Sequence, residues 1–378
     1  MMKKMGCTIL LLTFLFILTA CNTTNEEKNP VDKGASHATS IDSDKPIVQG
    51  VDNVDVVNTH GSINGLERMK DFYNNFQNGI SSELRIVHYT IEGDPIISDL
   101  NYKEDTIKVT YDSTRDNFGS GEITTVTCND LLEEVNPTNI SYIATGCSDG
   151  FFGMTEILSV EYNVGRQDLF ELELQFGDKL ENELNSKTKV ATRTKNKTKA
   201  TNDFILSTPV KQEIFKRLIL ANYLGDLNLK TTCQSKDFKD YYLKVYINGG
   251  DREYHWSSCD RGQDGLKFTE IAEYIILQSQ MEQTENPETV IQGYVLQVKD
   301  DTLLIGEDLN IMQYEWLKDE IKHTGLDAYA FSFISLEGVK TDEFQIGDKI
   351  EAIINGSITG SKPGKVIVKD IKKINITN

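Results

Sequence analysis

Phe170-Glu171-Leu172-Glu173-Leu174-Gln175-Phe176 alternates apolar and charged or amide side chains without a break. That period of two is the signature of a strand with one face on a core and the other in water, as in an antiparallel sheet. Residues 154–162 and 169–176 then read as a hairpin across Asn163-Val164-Gly165-Arg166. Upstream, 84–91, 96–102 and 106–111 are apolar stretches separated by Gly93-Asp94-Pro95 and Lys103-Glu104-Asp105, which predicts an antiparallel meander. Helical spacing is confined to short runs. Leu66, Met69, Phe72 and Phe76 share one face, with Ser62 or Asn64 as the cap and Asn78-Gly79 as the end. A further helical stretch over 131–135 stops at Asn136-Pro137, and 140–145 leads back to Cys147.

Downstream the same vocabulary repeats. Thr208-Pro209 opens a helix whose face is Ile214, Phe215, Leu218, Ile219 and Tyr223, and 266–278 predicts a second helix. Between them 241–247 and 252–256 flank Asn248-Gly249-Gly250, a strong hairpin signal. From Thr289 onward, 292–298 and 302–306 form a hairpin across Asp300-Asp301. Met312, Trp316 and Ile321 lie on a helix, and 329–336, 349–354 and 365–371 are further strands. Many short strands with one helix predict a small, partly open barrel of the OB type. The expected fold class is α+β: antiparallel-sheet modules with packed helices, plus a C-terminal OB-like small β-barrel.

The N-terminus sets the location. Lys3 and Lys4 precede an apolar run over 8–18, and Leu18-Thr19-Ala20 leads into Cys21. A positive segment, a short apolar segment and small residues make a secretory signal, too short for a comfortable span. The Leu18-Thr19-Ala20-Cys21 ending resembles the lipobox of bacterial lipoproteins, which implies cleavage before Cys21 and a diacylglyceryl group on its sulfur. Two acyl chains anchor stably where one does not. Residues 21–49 are polar, with almost no large apolar side chain, and predict a disordered tether. A flexible chain of that length holds the body roughly 30 Å from the membrane. The expected organisation is a signal peptide at 1–20, the tether at 21–49, an α+β domain at 50–182, a basic linker at 183–202, a second α+β module at 203–285 and the barrel at 286–378.

Composition excludes some partners. The formal net charge of the 378-residue chain is -19. Phosphate binding is driven by Lys and Arg, so nucleic acid is not an expected partner, and the body should not lie flat on anionic lipid. One segment runs against the balance: Lys187, Lys189, Arg193, Lys195, Lys197 and Lys199 occur together with no acid among them. It reads as a solvated linker or as an arm touching an anionic polymer or headgroup.

Of six cysteines, Cys7 leaves with the signal and Cys21 takes the lipid, so Cys128, Cys147, Cys233 and Cys259 remain. Outside the cytoplasm they read as two disulfides with three possible connectivities, and the spacing favours Cys128 with Cys147 and Cys233 with Cys259. None of the four lies in a Cys-x-x-Cys pair, which counts against zinc.

The sequence holds no nucleophile elbow, phosphate-cradling glycine loop or zinc-protease motif. His37, His60, His88, His255 and His323 are scattered. Asp112-Ser113-Thr114-Arg115-Asp116-Asn117-Phe118-Gly119 has the alternating oxygens of a calcium loop. Arg115 puts a cation inside the cage and Ile123 stands at the bidentate position, so a turn held by Asx bonds is expected. Glu92 and Asp94 belong to a neighbouring turn, and Glu92, Asp94, Asp112 and Asp116 form a candidate rim. Phe151-Phe152 reads as a core anchor beside Cys147, or else a contact patch. No catalytic, cofactor-binding or metal residue is assigned.

Two longer resemblances follow. Asn58-Thr59-His60-Gly61, Arg85-Ile86-Val87, Thr90-Ile91-Glu92-Gly93-Asp94-Pro95 and Tyr111-Asp112 through Gly119 resemble an uncharacterised lipoprotein domain of Gram-positive bacteria. Gly293-Tyr294-Val295, Phe331-Ser332, Ile346-Gly347-Asp348-Lys349, Gly356 and Ser361-Lys362-Pro363 are similar to a second uncharacterised domain found in such lipoproteins, although Lys362 stands where that domain usually has an aromatic residue. Neither implies an activity. The expectation is a lipid-anchored binding or interaction protein on the outer face of the bacterial cytoplasmic membrane, without cofactor, meeting an envelope protein, peptide or glycan. The alternatives are an envelope hydrolase using paired carboxylates and an immunity or inhibitor lipoprotein.

Overall fold

The computed structural model describes residues 50–193, 198–201, 203–233, 238–281 and 288–375. The signal at 1–20, the tether at 21–49, Cys21 and His37 lie outside the described residues. Strands β1 (Val56–Thr59) and β2 (Ser62–Asn64) form a hairpin, α1 (Leu66–Gln77) follows, and β3 (Ser82–Tyr89), β4 (Pro95–Lys103), β5 (Thr106–Asp112) and β6 (Ile123–Cys128) complete a sheet ordered β2-β1-β3-β4-β5-β6. The meander over β3 to β5 is antiparallel as the turns predict, while β1 joins β3 in parallel. Helix α1 buries Leu66, Met69 and Phe72, the face its spacing marks. Its cap differs from expectation: Gly65 stands there at φ 81, and a Cβ on it would meet the Asp55 carbonyl oxygen at 2.1 Å. Ser62 and Asn64 belong to β2 and do not cap the helix, and the close approach at the cap position requires glycine.

Strands β7 (Asp130–Val135), β8 (Asn139–Thr145) and β9 (Met154–Glu161) form a three-stranded antiparallel sheet. The helix expected over 131–135 is therefore a strand. Its Leu and Glu residues favour a helix only weakly, and pairing of every residue of β7 with β8 across the Asn136-Pro137 turn overrides that preference. Strand β8 is buried on both faces. Ile140, Tyr142 and Ala144 point into the main core, and Asn139 and Ser141 point the other way.

The hairpin expected between β9 and the alternating strand does not form. Asn163 Oδ1 accepts the Gly165 N–H at 2.8 Å, closing a single 3-10 turn, Val164–Arg166, that redirects the chain. Strand β10 (Phe170–Gly177) enters a different sheet with β11 (Asn182–Asn185), β12 (Val190–Arg193), β13 (Thr198–Thr201), β14 (Asp240–Ile247) and β15 (Gly250–Ser257), ordered β13-β12-β11-β10-β14-β15. Within 183–202, expected as a linker, residues 183–185, 190–193 and 198–201 lie in strands, and β11 covers the edge of β10 opposite β14. Lys195 and Lys197 lie outside the described residues. The Asn248-Gly249 turn joins β14 to β15 with both residues at positive φ, 47° and 86°, as its sequence demands.

Helices α2 (Thr208–Leu220) and α3 (Gln263–Gln278) cover the apolar face of this sheet, with the Phe170 and Phe215 rings 5.2 Å apart. One continuous core joins all three sheets with α1, α2 and α3. No module boundary near 183–202 divides it.

The remaining strands, β16 (Glu288–Lys299), β17 (Thr302–Glu307), β18 (Phe333–Glu337), β19 (Lys349–Asn355) and β20 (Gly364–Lys373), close into a ring ordered β16-β17-β18-β20-β19. Ile291, Val295, Leu303, Ile305, Leu336 and Ile350 fill it. Helix α4 (Ile311–Thr324) packs outside, where Tyr314 stacks on Tyr294 with centroids 4.7 Å apart. No helix among the described residues is long and apolar enough to cross a membrane.

Candidate functional site

The polar side of the three-stranded sheet meets the outside of the barrel, and the charged groups of both are spent on each other. Glu134, on β7, is 2% exposed and is ion-paired with Lys349 of β19, itself 3% exposed. Tyr294 Oη donates to Glu134 Oε1 at 2.9 Å, and the Ile311 N–H at the start of α4 donates to Glu134 Oε2 at 2.8 Å. A carboxylate at a helix N-terminus faces the positive end of the helix dipole. Burial pulls the Lys349 ammonium down and pushes the Tyr294 phenol up, with Glu134 acting on both. Asn310 caps α4 and also donates to Glu156 at 3.1 Å.

Beside this junction opens a cleft of about 670 Å³, within the size range of small-molecule sites. Glu161 from β9, Arg166 from the 3-10 turn, Glu307 and Asp308 from the end of β17, and Phe331 and Ser332 ahead of β18 line it. Asp308 sits at φ 54, a left-handed conformation that Asp and Asn tolerate better than most residues. Its backbone carbonyl accepts from Asn139 at 3.0 Å and Asn136 at 3.3 Å, and its Oδ2 accepts from Thr138. Asp308 Oδ1 is buried without a hydrogen-bond partner among the described residues. Burial pushes this carboxyl up to about 7, against the pull of Thr138 and with Glu307 adding to the rise. Burial also raises Glu307, which accepts from Ser332 at 2.6 Å, and Glu161, which Arg166 pulls back from 3.8 Å away. The cleft therefore combines carboxyls, one guanidinium, amides and an aromatic wall. Such a mixture can both donate hydrogen bonds to and accept them from a polar guest.

The rim read from sequence lies elsewhere and is already occupied with itself. Asp94 Oδ2 accepts the Asn117 N–H at 2.9 Å and its Nδ2 at 3.0 Å, so the two turns are tied together. Asp112 accepts from Thr114 N at 2.9 Å, with the Thr114 bonds holding its carboxyl low, and Asp116 accepts from Phe118 N at 2.9 Å. These are Asx turns. Arg115 leaves the loop to donate to the Gly50 carbonyl at 2.6 Å, and Glu92 is exposed. No group of three or more His, Cys, Asp or Glu among the described residues is placed to hold a metal.

Cys128 and Cys147 are bonded, as are Cys233 and Cys259, the local pairs the spacing favours. Phe151 and Phe152 are 47% and 55% exposed and touch edge to face, so they form a surface pair and not a core anchor. His88 is held next to Asn58, and burial lowers it. His255 lies against Tyr242, and His60 borders a second, smaller cavity.

Glu134, Glu161, Glu307 and Asp308 belong to none of the sequence motifs, whereas Lys349, Phe331 and Ser332 stand in the motifs of the C-terminal resemblance. The available signal was charge inside apolar strands: Glu133-Glu134 after Leu131-Leu132, and Glu307-Asp308 after Leu303-Leu304-Ile305.

Residues 53–142 match the model of a domain of unknown function, DUF4362, and residues 292–375 match that of a protein of unknown function, DUF3221. No curated protein matches. Among solved structures, the crystal structure of a yobA protein from Bacillus subtilis is similar at 15% identity, covering 25% of this chain and 100% of that one, with a TM-score of 0.19. The chain thus carries, near its two ends, segments similar to two uncharacterised domain families.

Proposed function

We propose that the protein is a lipid-anchored binding protein on the outer face of the bacterial cytoplasmic membrane, and that its ligand lies in the cleft between the three-stranded sheet and the barrel. The observation that carries this reading is the cleft lined by Glu161, Arg166, Glu307, Asp308 and Phe331. The Leu18-Thr19-Ala20-Cys21 sequence supports the anchor. The strand order of the ring, with β18 and β20 parallel, supports reading it as an OB-type barrel, a fold that uses its outer face for oligomeric ligands. That analogy is one of fold. Two experiments test the proposal. Membrane fractionation of cells making the native or the Cys21→Ala chain must move the protein from membrane to soluble fraction. Calorimetric titration of the soluble Cys21→Ala protein with short glycans must give binding that Glu307→Gln and Phe331→Ala weaken; a native chain found in the soluble fraction, or binding indifferent to both variants, refutes it.

A second reading, an envelope hydrolase, is favoured by one observation. Asp308 has a carboxyl near 7, where a general acid works best. It predicts glycan cleavage that Asp308→Asn abolishes.

A further inference from the structure

A second cavity adjoins the cleft at Glu161. It measures about 240 Å³, shares Glu161, Asn163 and Arg166 with the cleft, and continues to Phe215, Ile219 and Tyr223 of the α2 region, Leu224 and Ile247. The two halves differ in chemistry. On the barrel side carboxyls, a guanidinium and amides face the space; on the α2 side the wall is mainly aliphatic and aromatic. The loose Glu161–Arg166 pair, 3.8 Å apart with both side chains half or more exposed, lines both and stands between them. His60 and Gly61, in the turn between β1 and β2, border the far end, where a Cβ on Gly61 would meet nothing within 4 Å.

We propose that the site takes a two-part ligand, an amphiphile with a hydroxyl-rich head in the Glu307–Phe331 half and an apolar arm in the Ile219–Leu224 half. This rests on the reading of the cleft as the binding site and specifies what it binds. Hydroxyl groups suit the head position because each donates and accepts, matching groups that do the same. Phe331 presents an aromatic wall, backed edge-on by Trp316 with centroids 6.1 Å apart. An apolar arm suits the other half because methylenes gain by leaving water wherever aliphatic walls replace it.

Titration of the Cys21→Ala protein with methyl, hexyl and octyl maltosides below their micellar concentrations tests this. Affinity should rise along the series by up to about fourfold per methylene buried. Leu224→Trp, which fills the second cavity, and Leu224→Asp, which makes it polar, should flatten the rise from methyl to octyl maltoside measured on the same variant; thermal melts check that both fold. Phe331→Ala should weaken all three ligands by the same factor. If methyl maltoside binds and chain length adds nothing, or if the rise persists in both Leu224 variants, the two-part ligand is wrong and the cleft remains a site for polar ligands. If an alkyl sulfobetaine of equal chain length binds as well as octyl maltoside, the hydroxyl-rich head is wrong. If no maltoside binds at all, the reading of the cleft as a saccharide-type site fails, and this inference with it.

Discussion

Lys349 and Glu134 stand 215 residues apart in sequence and form an ion pair that water scarcely reaches. The pair fastens the outer face of the barrel to the three-stranded sheet, and Tyr294 Oη and the Ile311 N–H complete the shell around the carboxylate.

Removing one partner should therefore cost far more than a surface bridge. Glu134→Gln and Lys349→Met are each expected to destabilise by about 3 to 5 kcal/mol, since each leaves a buried charge uncompensated. The double variant Glu134→Gln/Lys349→Met should lose less than the sum. Urea unfolding of the four proteins in a double-mutant cycle measures this, and strict additivity would show that the two charges do not interact.

Asp308 gives the stability a pH dependence of definite sign. Its carboxyl is raised in the fold from 3.8 to about 7, so between those values the native state holds a proton that the unfolded chain has released. Stability then falls as pH rises through this window and levels off above it, by at most about 4 kcal/mol from this group. Asp308→Asn keeps the left-handed backbone and should flatten that part of the profile. Chemical unfolding at pH 5, 6, 7 and 8 tests it; parallel profiles in the two proteins would assign the dependence to other groups.

The Cys128–Cys147 bond closes a loop of sequence separation 19 between the end of β6 and the start of the turn after β8. Chain entropy alone gives such a closure about 3 kcal/mol. Cys128→Ser/Cys147→Ser should lower the melting temperature accordingly, and dithiothreitol should add nothing further at this site.

The tie between Asp94 and Asn117 holds two exposed turns, so its loss should be local. Asp94→Ala is expected to change global stability by less than about 1 kcal/mol. Amide exchange should speed up at Asn117 and its loop while β4 and β5 stay protected. Global unfolding in place of local exchange would contradict this.

What could be read from the sequence was what depends on neighbours in the chain. Helix α1, the turns around Gly93 and Asn248, the β16–β17 hairpin and the local cysteine pairs are set by residues close together. Two of the failures share a cause. Residues 131–135 became a strand because β8 lies beside them, and β10 left β9 because β11 and β14 offered edges. Short-range preference is worth tenths of a kcal/mol per residue, and distant pairing exceeds it. The cleft was illegible for the same reason: Glu161 and Asp308 are unremarkable until the barrel packs on the sheet. The Asp94 and Asp112 turns were legible because their bonds span only a few residues or neighbouring loops.

Strand β10 is where these distant pairings converge, hydrogen-bonded to β11 on one edge and β14 on the other, with its apolar face under α2. A fragment stopping at residue 182 would leave both edges of that strand bare and Phe170, Leu172 and Leu174 facing water, an invitation to aggregate. The protein is thus a poor subject for truncation and a good one for point substitution. The three sheets around the continuous core can be probed one side chain at a time, and are not to be divided between β9 and β14.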